Sequence, residues 1–577
     1  MFSETIIVLG LLVLILSTIT YYTWTWTTDN KSLPGIPSVT VWSSAGFNVL
    51  PQTSSIAPES EQIMGWLEQK CIELDTPILQ IQTGLPGKPS LVVADSVETQ
   101  QILTHRLHEF DRTRFLAASF LALLPHNHMT MPTNDEWRAN RRLIAETMSP
   151  RFLNGHAARH MHKSTLDYID LLLEKEKRSA GRPFEVSADT FGVMLDGIVG
   201  ATFGTDSGAV KQQLKFIQNF ESVVQIDESR GFANFARAPD PPLLDALIVL
   251  MWSLHIPTHP LGGPFLHKMA LRFVPRYRDA LTLVRSYVDD SVKTAEKKRQ
   301  DLSGQREVDS PTAVDLVVKR EIEIAKSQDR ALDLHTGLLR DELFGILFGF
   351  DVLAIMAVWG LKILTAHQDV QQKLRAELKS IFPEAAAAGT VPSAEEIATT
   401  STPYLEAVYE EMLRCVGSTP ALVRTTTQDV TLMNHHVPKD TTIFLLTRGR
   451  SYTHRSTNDQ KVGEKSSDAA KDAWTGNWSP EDLSQFDPER WLTQDSDGRK
   501  RFNVRAGPRH MLGTGVRACF GQKQATSAMR IFFALVAWKL ELRPVPADLA
   551  RFERAPAAFV YRAKEVYLSP HAAAHAS

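Results

Sequence analysis

The chain has 577 residues, of which 43% are hydrophobic and 22% charged, and its 63 basic and 66 acidic side chains give a formal net charge of −3. This composition is ordinary for a globular protein, and it excludes an intrinsically disordered or collagen-like chain. The near-neutral charge argues against a nucleic-acid partner, because nucleic-acid-binding domains are usually strongly basic. The three cysteines, Cys71, Cys415 and Cys519, are too few for a disulfide framework.

An uncharged N-terminal stretch predicts a membrane anchor. No charged residue lies between Glu4 and Asp29, and Thr5–Trp26 provides the roughly 20 residues that a helix needs to cross a bilayer. Aromatic residues at the end of this stretch suit the membrane interface, and the flanking charges favour a cytoplasmic body. The alternative is a cleaved signal peptide, which would carry a basic start and a small-residue cleavage site. Neither feature is present here.

Stretches with a helical period dominate the rest of the chain. The predicted helices are Glu136–Thr147, Ser164–Lys177, Tyr277–Lys298, Asp341–Ser380, Pro403–Cys415 and Gln522–Leu540. The short apolar runs Leu91–Val93 and Thr442–Leu446 predict strands. The sequence therefore predicts a mainly α protein with small β-sheets (α+β).

The strongest chemical signal lies in the segment Leu512–Gly521. Here Cys519 follows two glycines, Gly513 and Gly515, and directly precedes the last predicted helix. The glycines let the backbone approach a flat ligand, and a helix N-terminus favours a thiolate. A thiolate suits iron, and Arg517 is placed to pair with an anionic group such as a haem propionate. From this segment alone, a structural cysteine in a glycine-rich turn remains an equal alternative.

Three separated charges predict a structural cluster behind this segment. Glu411 and Arg414 share one face of a predicted helix at positions i and i+3. Such a pair alone is usually a solvated surface bridge of little value. Downstream, Arg490 follows Pro488 in an extended stretch. If Arg490 reaches back to the pair, the three side chains form a fixed triad.

In this order, the features resemble the cytochrome P-450 superfamily over nearly the whole chain. The motifs that carry the resemblance are Trp137-x-x-x-Arg141, the long central helix, Glu411-x-x-Arg414, Phe486-x-Pro488-Glu489-Arg490 and the loop around Cys519. The resemblance implies the cytochrome P-450 fold with an N-terminal transmembrane helix. It divides the chain into a membrane anchor, residues 1–30, and one haem domain, residues 31–577.

The resemblance also implies the cofactor and the residues that hold it. The cofactor is heme b (iron protoporphyrin IX), with Cys519 as its axial thiolate ligand. The implied cofactor-binding residues are Trp137, Arg141, Gly349, Arg424, Gly513, Arg517 and Cys519. The implied structural triad is Glu411, Arg414 and Arg490. Leu512 replaces the family's usual aromatic residue, which is expected to alter the shielding of the thiolate without abolishing ligation.

The central helix departs from the family pattern. Members typically place Ala/Gly-Gly-x-Asp/Glu-Thr-Thr here, and alignment on Gly349 puts Asp351 on the acid and Val352 on the alcohol. These two residues occupy the catalytic positions, and Phe348 replaces the small residue. In the family the threonine hydroxyl helps to deliver protons to bound dioxygen. Valine has nearly the same shape but donates no hydrogen bond.

Three interpretations of Val352 stay open. A substrate hydroxyl or water supplies the hydrogen bond in an ordinary monooxygenase, or the position simply tolerates an apolar residue. Alternatively, the protein is a haem-thiolate isomerase or dehydratase that does not use dioxygen. A non-catalytic haem-binding protein is a lesser alternative.

The resemblance favours a monooxygenase that oxidises a lipophilic small molecule with dioxygen. Electrons would come from an NADPH-cytochrome reductase, for which Arg505, Arg509 and Lys523 form a candidate docking patch. The stretch Gly417–Arg424 looks most like fungal microsomal members, which suggests secondary metabolite biosynthesis, such as oxidation of a terpene or polyketide. The expected location is the endoplasmic reticulum membrane, with a single span and the catalytic domain in the cytoplasm.

Overall fold

The computed structural model describes residues 32–40, 63–82, 88–220, 223–257, 263–301, 310–454, 474–476, 478–557 and 560–573. The chain forms two compact units. The first unit comprises Met1–Arg114 and Pro420–Ala473, and the second comprises Phe115–Thr419 and Trp474–Ser577. The predicted anchor, Thr5–Trp26, lies outside the described residues.

Helices make up most of the described structure. In chain order they are α1 (Ile63–Glu73), α2 (Ser96–Thr104), α3 (Arg114–Leu121), α4 (Asp135–Leu143), α5 (Ala158–Arg178), α6 (Ser187–Phe203), α7 (Ala209–Asn219), α8 (Pro242–Ser253), α9 (Gly263–Phe273), α10 (Pro275–Asp301), α11 (Ala313–Ser327), α12 (Gly337–Leu347), α13 (Gly349–Ala366), α14 (Gln368–Ile381), α15 (Pro383–Ala387), α16 (Ala394–Thr399), α17 (Pro403–Val416) and α18 (Gln522–Lys539).

The strands are short. They are β1 (Ser38–Thr40), β2 (Ile78–Gln82), β3 (Ser90–Val93), β4 (Phe110–Arg112), β5 (Phe184–Glu185), β6 (Val224–Asp227), β7 (Phe232–Phe235), β8 (Ala421–Thr426), β9 (Val430–Leu432), β10 (His435–Val437), β11 (Thr442–Leu446), β12 (Leu492–Gln494), β13 (Lys500–Phe502), β14 (Leu540–Arg543), β15 (Arg554–Ala557), β16 (Val560–Ala563) and β17 (Tyr567–Ala572). The predicted α+β class and both predicted strands are confirmed.

The first unit is built on a mixed sheet with the strand order β1-β2-β3-β11-β8-β4. Strand β11 runs parallel to β3, with Ile443 opposite Leu91, and antiparallel to β8, with Ile443 opposite Arg424. Alternate residues of these strands, such as Leu91 and Val93, are fully buried in the core of the unit. The β-branched and aliphatic residues of both strands suit a sheet that is covered by other elements.

The second unit is organised around helix α13, which is apolar on nearly every face. A helix of this kind is expected in the middle of a core, and α13 packs against α6 and α18. Among the described residues, Gly337–Ala366 is the helical stretch long and apolar enough to cross a membrane, but 78% of its most apolar window is buried inside the protein. Its apolar surface is therefore used for packing. A sheet with the order β14-β17-β5-β7-β6 completes the unit.

The prediction of one continuous helix over Asp341–Ser380 was wrong, because the structure has three helices there. The first break is at Phe348, where φ is −59° and ψ is −18°. One turn earlier the side chain of Asn127 packs so closely that a Cβ on Gly345 would lie 2.4 Å from its Nδ2 atom. Such an inserted side chain is a common cause of a helix break. The second break is at His367, with φ of −114° and ψ of 80°.

Candidate functional site

The cysteine loop, Leu512–Gly521, folds back on itself. The backbone N–H of Cys519 donates a hydrogen bond to the carbonyl oxygen of Leu512 over 2.8 Å. This closure depends on Gly513 and Gly515, whose φ angles of +72° and +73° lie in the left-handed region that favours glycine. The loop therefore presents its cysteine on a tight backbone turn.

Cys519 lies at the positive end of helix α18, which begins three residues later. The N-terminal amides of a helix stabilise negative charge, so this position favours a thiolate. The side chain of Cys519 is exposed to solvent. Cys71, by contrast, is buried in the first unit. A ligand can therefore reach the sulfur of Cys519.

Trp137 and Arg141 of helix α4 lie beside the cysteine loop, close to Arg517 within the loop. Trp137 and Arg141 lie one turn apart on α4, and the Arg141 guanidinium is 5.3 Å from the Trp137 ring and 4.9 Å from the Phe520 ring. The Arg517 guanidinium lies 4.6 Å from the centroid of the same Trp137 ring. Arg141 also donates a hydrogen bond to the carbonyl oxygen of Ala518 over 3.3 Å. The structure thus brings Trp137, Arg141 and Arg517 together beside the cysteine.

Two arginines bring positive charge to the loop. Burial lowers the pKa of Arg141, and the negative charges of Cys519 and Glu342 oppose that shift. The residue Arg517 is buried and donates a hydrogen bond to the carbonyl oxygen of Met131 over 2.9 Å. Two cations held next to one another in this way favour an anionic partner at the same place.

The predicted triad residues also lie together. The Glu411 carboxylate accepts two hydrogen bonds from Arg414, of 2.6 and 2.8 Å, and one of 3.0 Å from Nε of Arg490. It also accepts from the indole N–H of Trp491, at 2.8 Å, and from the backbone N–H of Asp487, at 2.9 Å. The carboxylate is therefore saturated with donors. Its network joins α17 to the segment that precedes β12.

The triad is a buried charge cluster and not a surface bridge. The side chains of Glu411 and Arg414 are 0% exposed, and that of Arg490 is 4% exposed. Burial alone would raise the pKa of Glu411, but the hydrogen bonds and charges of Arg414 and Arg490 outweigh it and hold the pKa below its ordinary value. Arg414 also donates to the carbonyl oxygens of Leu483, over 2.7 Å, and of another residue in the same segment.

On the central helix, Asp351 is buried and paired. Its Oδ1 atom accepts a hydrogen bond of 2.5 Å from Nη2 of Arg562, on β16. Burial raises the pKa of Asp351, and the charge of Arg562 opposes the shift. The neighbouring Val352 is half-buried in the apolar core. The acid is therefore tied to a distant arginine, while the position beside it offers no hydrogen bond.

Two more polar contacts fasten the same helix to the C-terminal segment. The indole N–H of Trp359 donates to the carbonyl oxygen of Tyr561 over 3.0 Å. The ammonium group of Lys362 donates to the carbonyl oxygens of Glu565, over 3.1 Å, and Leu549, over 3.4 Å. Lys362 is buried, and burial lowers its pKa. Together with Asp351, three side chains of α13 thus bind this segment.

The remaining predicted site residues are placed as follows. Gly349 opens helix α13 immediately after the break. Arg424 lies in β8 of the first unit, where it is buried, and burial lowers its pKa to about 10. Its guanidinium donates to the carbonyl oxygen of Val423 over 2.9 Å.

The sequence did not point to some important polar residues of the second unit. Arg562, the partner of Asp351, lies in a hairpin without a motif, 211 residues further along the chain. Glu342 is buried in α12. For Glu342 a signal did exist, because a carboxylate within an otherwise apolar helix needs partners.

The family model for cytochrome P450 matches residues 59–454, which is more than half of the chain. The chain belongs to the cytochrome P450 family. A cytochrome P450 monooxygenase of Pestalotiopsis microspora is 31% identical over 514 residues, covering 88% of this P450 and 89% of that protein. A second P450 monooxygenase, from Fusarium sporotrichioides, is 28% identical over 94% of this chain and 95% of its own length.

Solved structures agree on the fold. A crystal structure of a cytochrome P450 has a TM-score of 0.64 and 16% identity, and covers 94% of this chain and 100% of that one. The predictions of the superfamily and of the P450 fold are confirmed. With fungal P450 monooxygenases as relatives over most of its length, this P450 is an oxidoreductase of the monooxygenase type.

The P450 family uses haem b with a cysteine thiolate as axial ligand. The residues around the loop fit this group. An exposed cysteine at a helix N-terminus would supply a sulfur ligand, and the glycine turn would leave room for a flat ring. Arg141 and Arg517 would supply cations for the two propionates. The bound haem supplies the dioxygen and electron-transfer chemistry.

Proposed function

We propose that Cys519 is the axial thiolate ligand of the haem, and that Trp137, Arg141 and Arg517 hold its propionates. The observation that carries this proposal is the closed loop with an exposed cysteine at the start of α18, beside the half-buried guanidinium of Arg141 and the buried one of Arg517. Gly349, Gly513 and Arg424 complete the proposed cofactor-binding set. Glu411, Arg414 and Arg490 keep the loop's supporting segment in place.

We further propose that Asp351 is the acid of the central helix, and that Val352 leaves it without the usual hydroxyl partner. The ion pair with Arg562 holds one carboxyl oxygen of Asp351 in place. A proton for the reaction would then have to come through Asp351 and through water or a hydroxyl group of the substrate. Valine excludes a protein hydroxyl at that step.

The proposed substrate is a lipophilic small molecule. On the central helix Phe348 is buried, stacks on Phe344 with ring centroids 5.0 Å apart, and meets the ring of Phe120 edge-on at 6.5 Å. An aromatic cluster of this kind beside the proposed catalytic residues favours an apolar ligand. A relative from Dothistroma septosporum, 37% identical over 42% of this chain, is named for a gene cluster. This name is consistent with a role in secondary metabolism, and a terpene or polyketide is the substrate class that we propose.

We propose a single-pass endoplasmic reticulum protein, with residues 1–30 as anchor and residues 31–577 as a cytoplasmic haem domain. The uncharged stretch Thr5–Trp26 supports the anchor. Electrons would come from an NADPH-cytochrome reductase in the same membrane. A membrane location also gives a lipophilic substrate a route from the bilayer.

Isotopically labelled dioxygen tests the proposed function. Membranes that contain the protein and a reductase are given NADPH, labelled dioxygen and a panel of terpenes and polyketides. Label in the product supports the monooxygenase. Turnover that proceeds without NADPH and leaves the product unlabelled contradicts it, and supports the isomerase or dehydratase alternative.

Restoring a hydroxyl group beside Asp351 is expected to improve coupling. In Val352→Thr, the new hydroxyl can donate a hydrogen bond worth about 1 kcal/mol, so the ratio of product to peroxide should rise about fivefold. The product and the peroxide are both measured for a known amount of NADPH consumed, which gives the ratio of product to peroxide. Val358→Thr, a buried position of the same helix, is the control and should leave the ratio unchanged. An unchanged ratio in Val352→Thr as well would mean that proton delivery is not limited at this position.

Reductase docking is expected to depend on Arg505 and Lys523 and less on Arg509. Both Arg505 and Lys523 are exposed, whereas Arg509 forms an ion pair with buried Glu410. Reversing one exposed charge should raise the KM for the reductase about two- to fivefold, because exposed pairs contribute about 0.2–1 kcal/mol. The measurement is the initial rate against reductase concentration at low and high salt.

The control for docking is Lys297→Glu, the same charge change at an exposed position of α10. It should leave the KM for the reductase unaltered. If Lys523→Glu and Lys297→Glu behave alike at low salt, this surface is not where the reductase docks.

A further inference from the structure

A short loop connects the central helix with the cysteine loop. Within the second unit, residues 126–131 contact α12 at one end, where the backbone N–H of His126 donates to a carboxyl oxygen of Asp341 over 2.8 Å. At the other end, Met131 accepts the hydrogen bond from Arg517. Helix α12 admits this loop through small residues, because a Cβ on Gly337 would lie 2.7 Å from the His126 ring.

The centre of this contact is the carboxylate of Glu342. Its side chain is 0% exposed, and it accepts from four donors. The backbone N–H of His128 lies at 2.7 Å, the Nδ1 of the same residue at 2.7 Å, the amide of Asn127 at 3.1 Å and the amide of Asn140 at 3.0 Å. A carboxylate so fully bonded is held in one orientation.

This arrangement fixes the histidine ring. A carboxylate only accepts hydrogen bonds, so the proton between Glu342 and His128 is on Nδ1 of the imidazole. The ring then points its Nε2 nitrogen away from Glu342. The side chain of His128 is 13% exposed, and Nε2 has no hydrogen-bond partner among the residues that the structure describes.

The fixed ring lies beside the cysteine loop. The centroid of the His128 ring is 5.7 Å from that of Phe520, in an edge-on contact. The guanidinium of Arg141 lies 4.9 Å from the same phenyl ring. Phe520, the residue directly after Cys519, therefore contacts both an imidazole and a guanidinium, which places both groups beside the cysteine loop.

We propose that His128, oriented by Glu342, is a further haem-binding residue that donates a hydrogen bond from Nε2 to a propionate. The inference rests on the proposed ligation by Cys519. In this arrangement Glu342 is a positioning residue, because the hydrogen bond that it accepts from Nδ1 sets the direction in which Nε2 points. Donation from Nε2 to a propionate requires a proton on both ring nitrogens. His128 then adds a third donor to the two arginines.

The test measures haem retention in the full-length protein. In His128→Phe the ring that contacts Phe520 is kept and the nitrogen is lost. We expect haem transfer to excess apomyoglobin to be about tenfold faster, the loss typical of one hydrogen bond to a charged group, and the propionate bending bands in the resonance Raman spectrum to shift. Glu342→Gln, which keeps the shape of the side chain, should show the same shift to a smaller degree.

His267→Phe is the matched control, since His267 is a buried histidine bonded to Ser253 through Nε2 over 2.9 Å and does not belong to the proposed cofactor-binding set. It should leave both readouts unchanged. A transfer rate within twofold of the native rate in His128→Phe, with unmoved propionate bands, would overturn the inference. If His128→Phe does not fold, the same two readouts on Glu342→Gln decide.

The two proposals fail differently. Failure of the proposed ligation would remove the red-shifted Soret band of the reduced, carbon-monoxide-bound native protein. Failure of the present inference would leave that band intact in every variant and leave haem retention unchanged.

Discussion

Replacing Cys519 with alanine is expected to abolish the red-shifted Soret band of the reduced, carbon-monoxide-bound protein, and monooxygenase activity with it. The band reports a thiolate bound to the haem iron, and alanine has no sulfur to bind. The fold should survive, because Cys519 is exposed and its loop is closed by backbone atoms. The measurements are the difference spectrum, the haem content and the thermal unfolding of the purified variant.

Cys71→Ala is the control for this experiment. Cys71 is fully buried in the first unit, and burial raises the pKa of its thiol to about 12, so it is a neutral core residue at physiological pH. Its replacement should cost some stability through the cavity it leaves but retain the band. A band that persists in Cys519→Ala would show that another residue binds the iron.

Replacing Glu411 with glutamine is expected to destabilise the protein by about 3–5 kcal/mol, because it leaves two buried guanidinium groups without their carboxylate. The native carboxylate also accepts from Trp491 and from the backbone of Asp487, so the supporting segment loses its anchor as well. Denaturant unfolding of the haem-bound protein gives the free energy, and haem content gives the consequence for the site.

Glu323→Gln is the matched control. Glu323 and Arg320 have the same i, i+3 spacing as Glu411 and Arg414, but their side chains are 43% and 37% exposed. This exposed pair should contribute less than about 1 kcal/mol. Equal losses for Glu323→Gln and Glu411→Gln would mean that burial of the triad does not matter.

The triad also predicts a direction for the effect of pH. The pKa of Glu411 is lower in the folded protein than in the unfolded chain. Its stabilising contribution is therefore fully present above the ordinary carboxyl range and is lost as the pH falls through the lowered value. In Glu411→Gln this part of the acid sensitivity should be absent.

The sequence predicted those parts of the site that depend on local chemistry. The two glycines before Cys519 predicted a turn, and both have positive φ. Trp137 and Arg141 came from the family resemblance, and in the structure they lie together on α4, where Arg141 contacts the cysteine loop. The spacing of Glu411 and Arg414 gave half of the triad, and the motif around Arg490 gave the rest.

What the sequence could not predict depends on residues that meet only in the folded chain. The apolar period runs on through Phe348, so only the contact between Asn127 and Gly345 reveals the break in the helix. The partner of Asp351 could not be found, because Arg562 follows no motif. Arg509 was assigned to a docking patch, yet its charge is paired with Glu410, which sequence spacing gives no reason to expect.

The three side chains of α13 that bind the C-terminal segment bear on how this enzyme can be recombined with its relatives. Trp359 and Lys362 donate to backbone carbonyl oxygens, which any sequence offers, but the third contact requires an acid at position 351 and a base at position 562. A chimera that takes the helix from one parent and the C-terminal segment from another can leave a buried carboxylate without its cation. The two regions should therefore be inherited as a single exchange block.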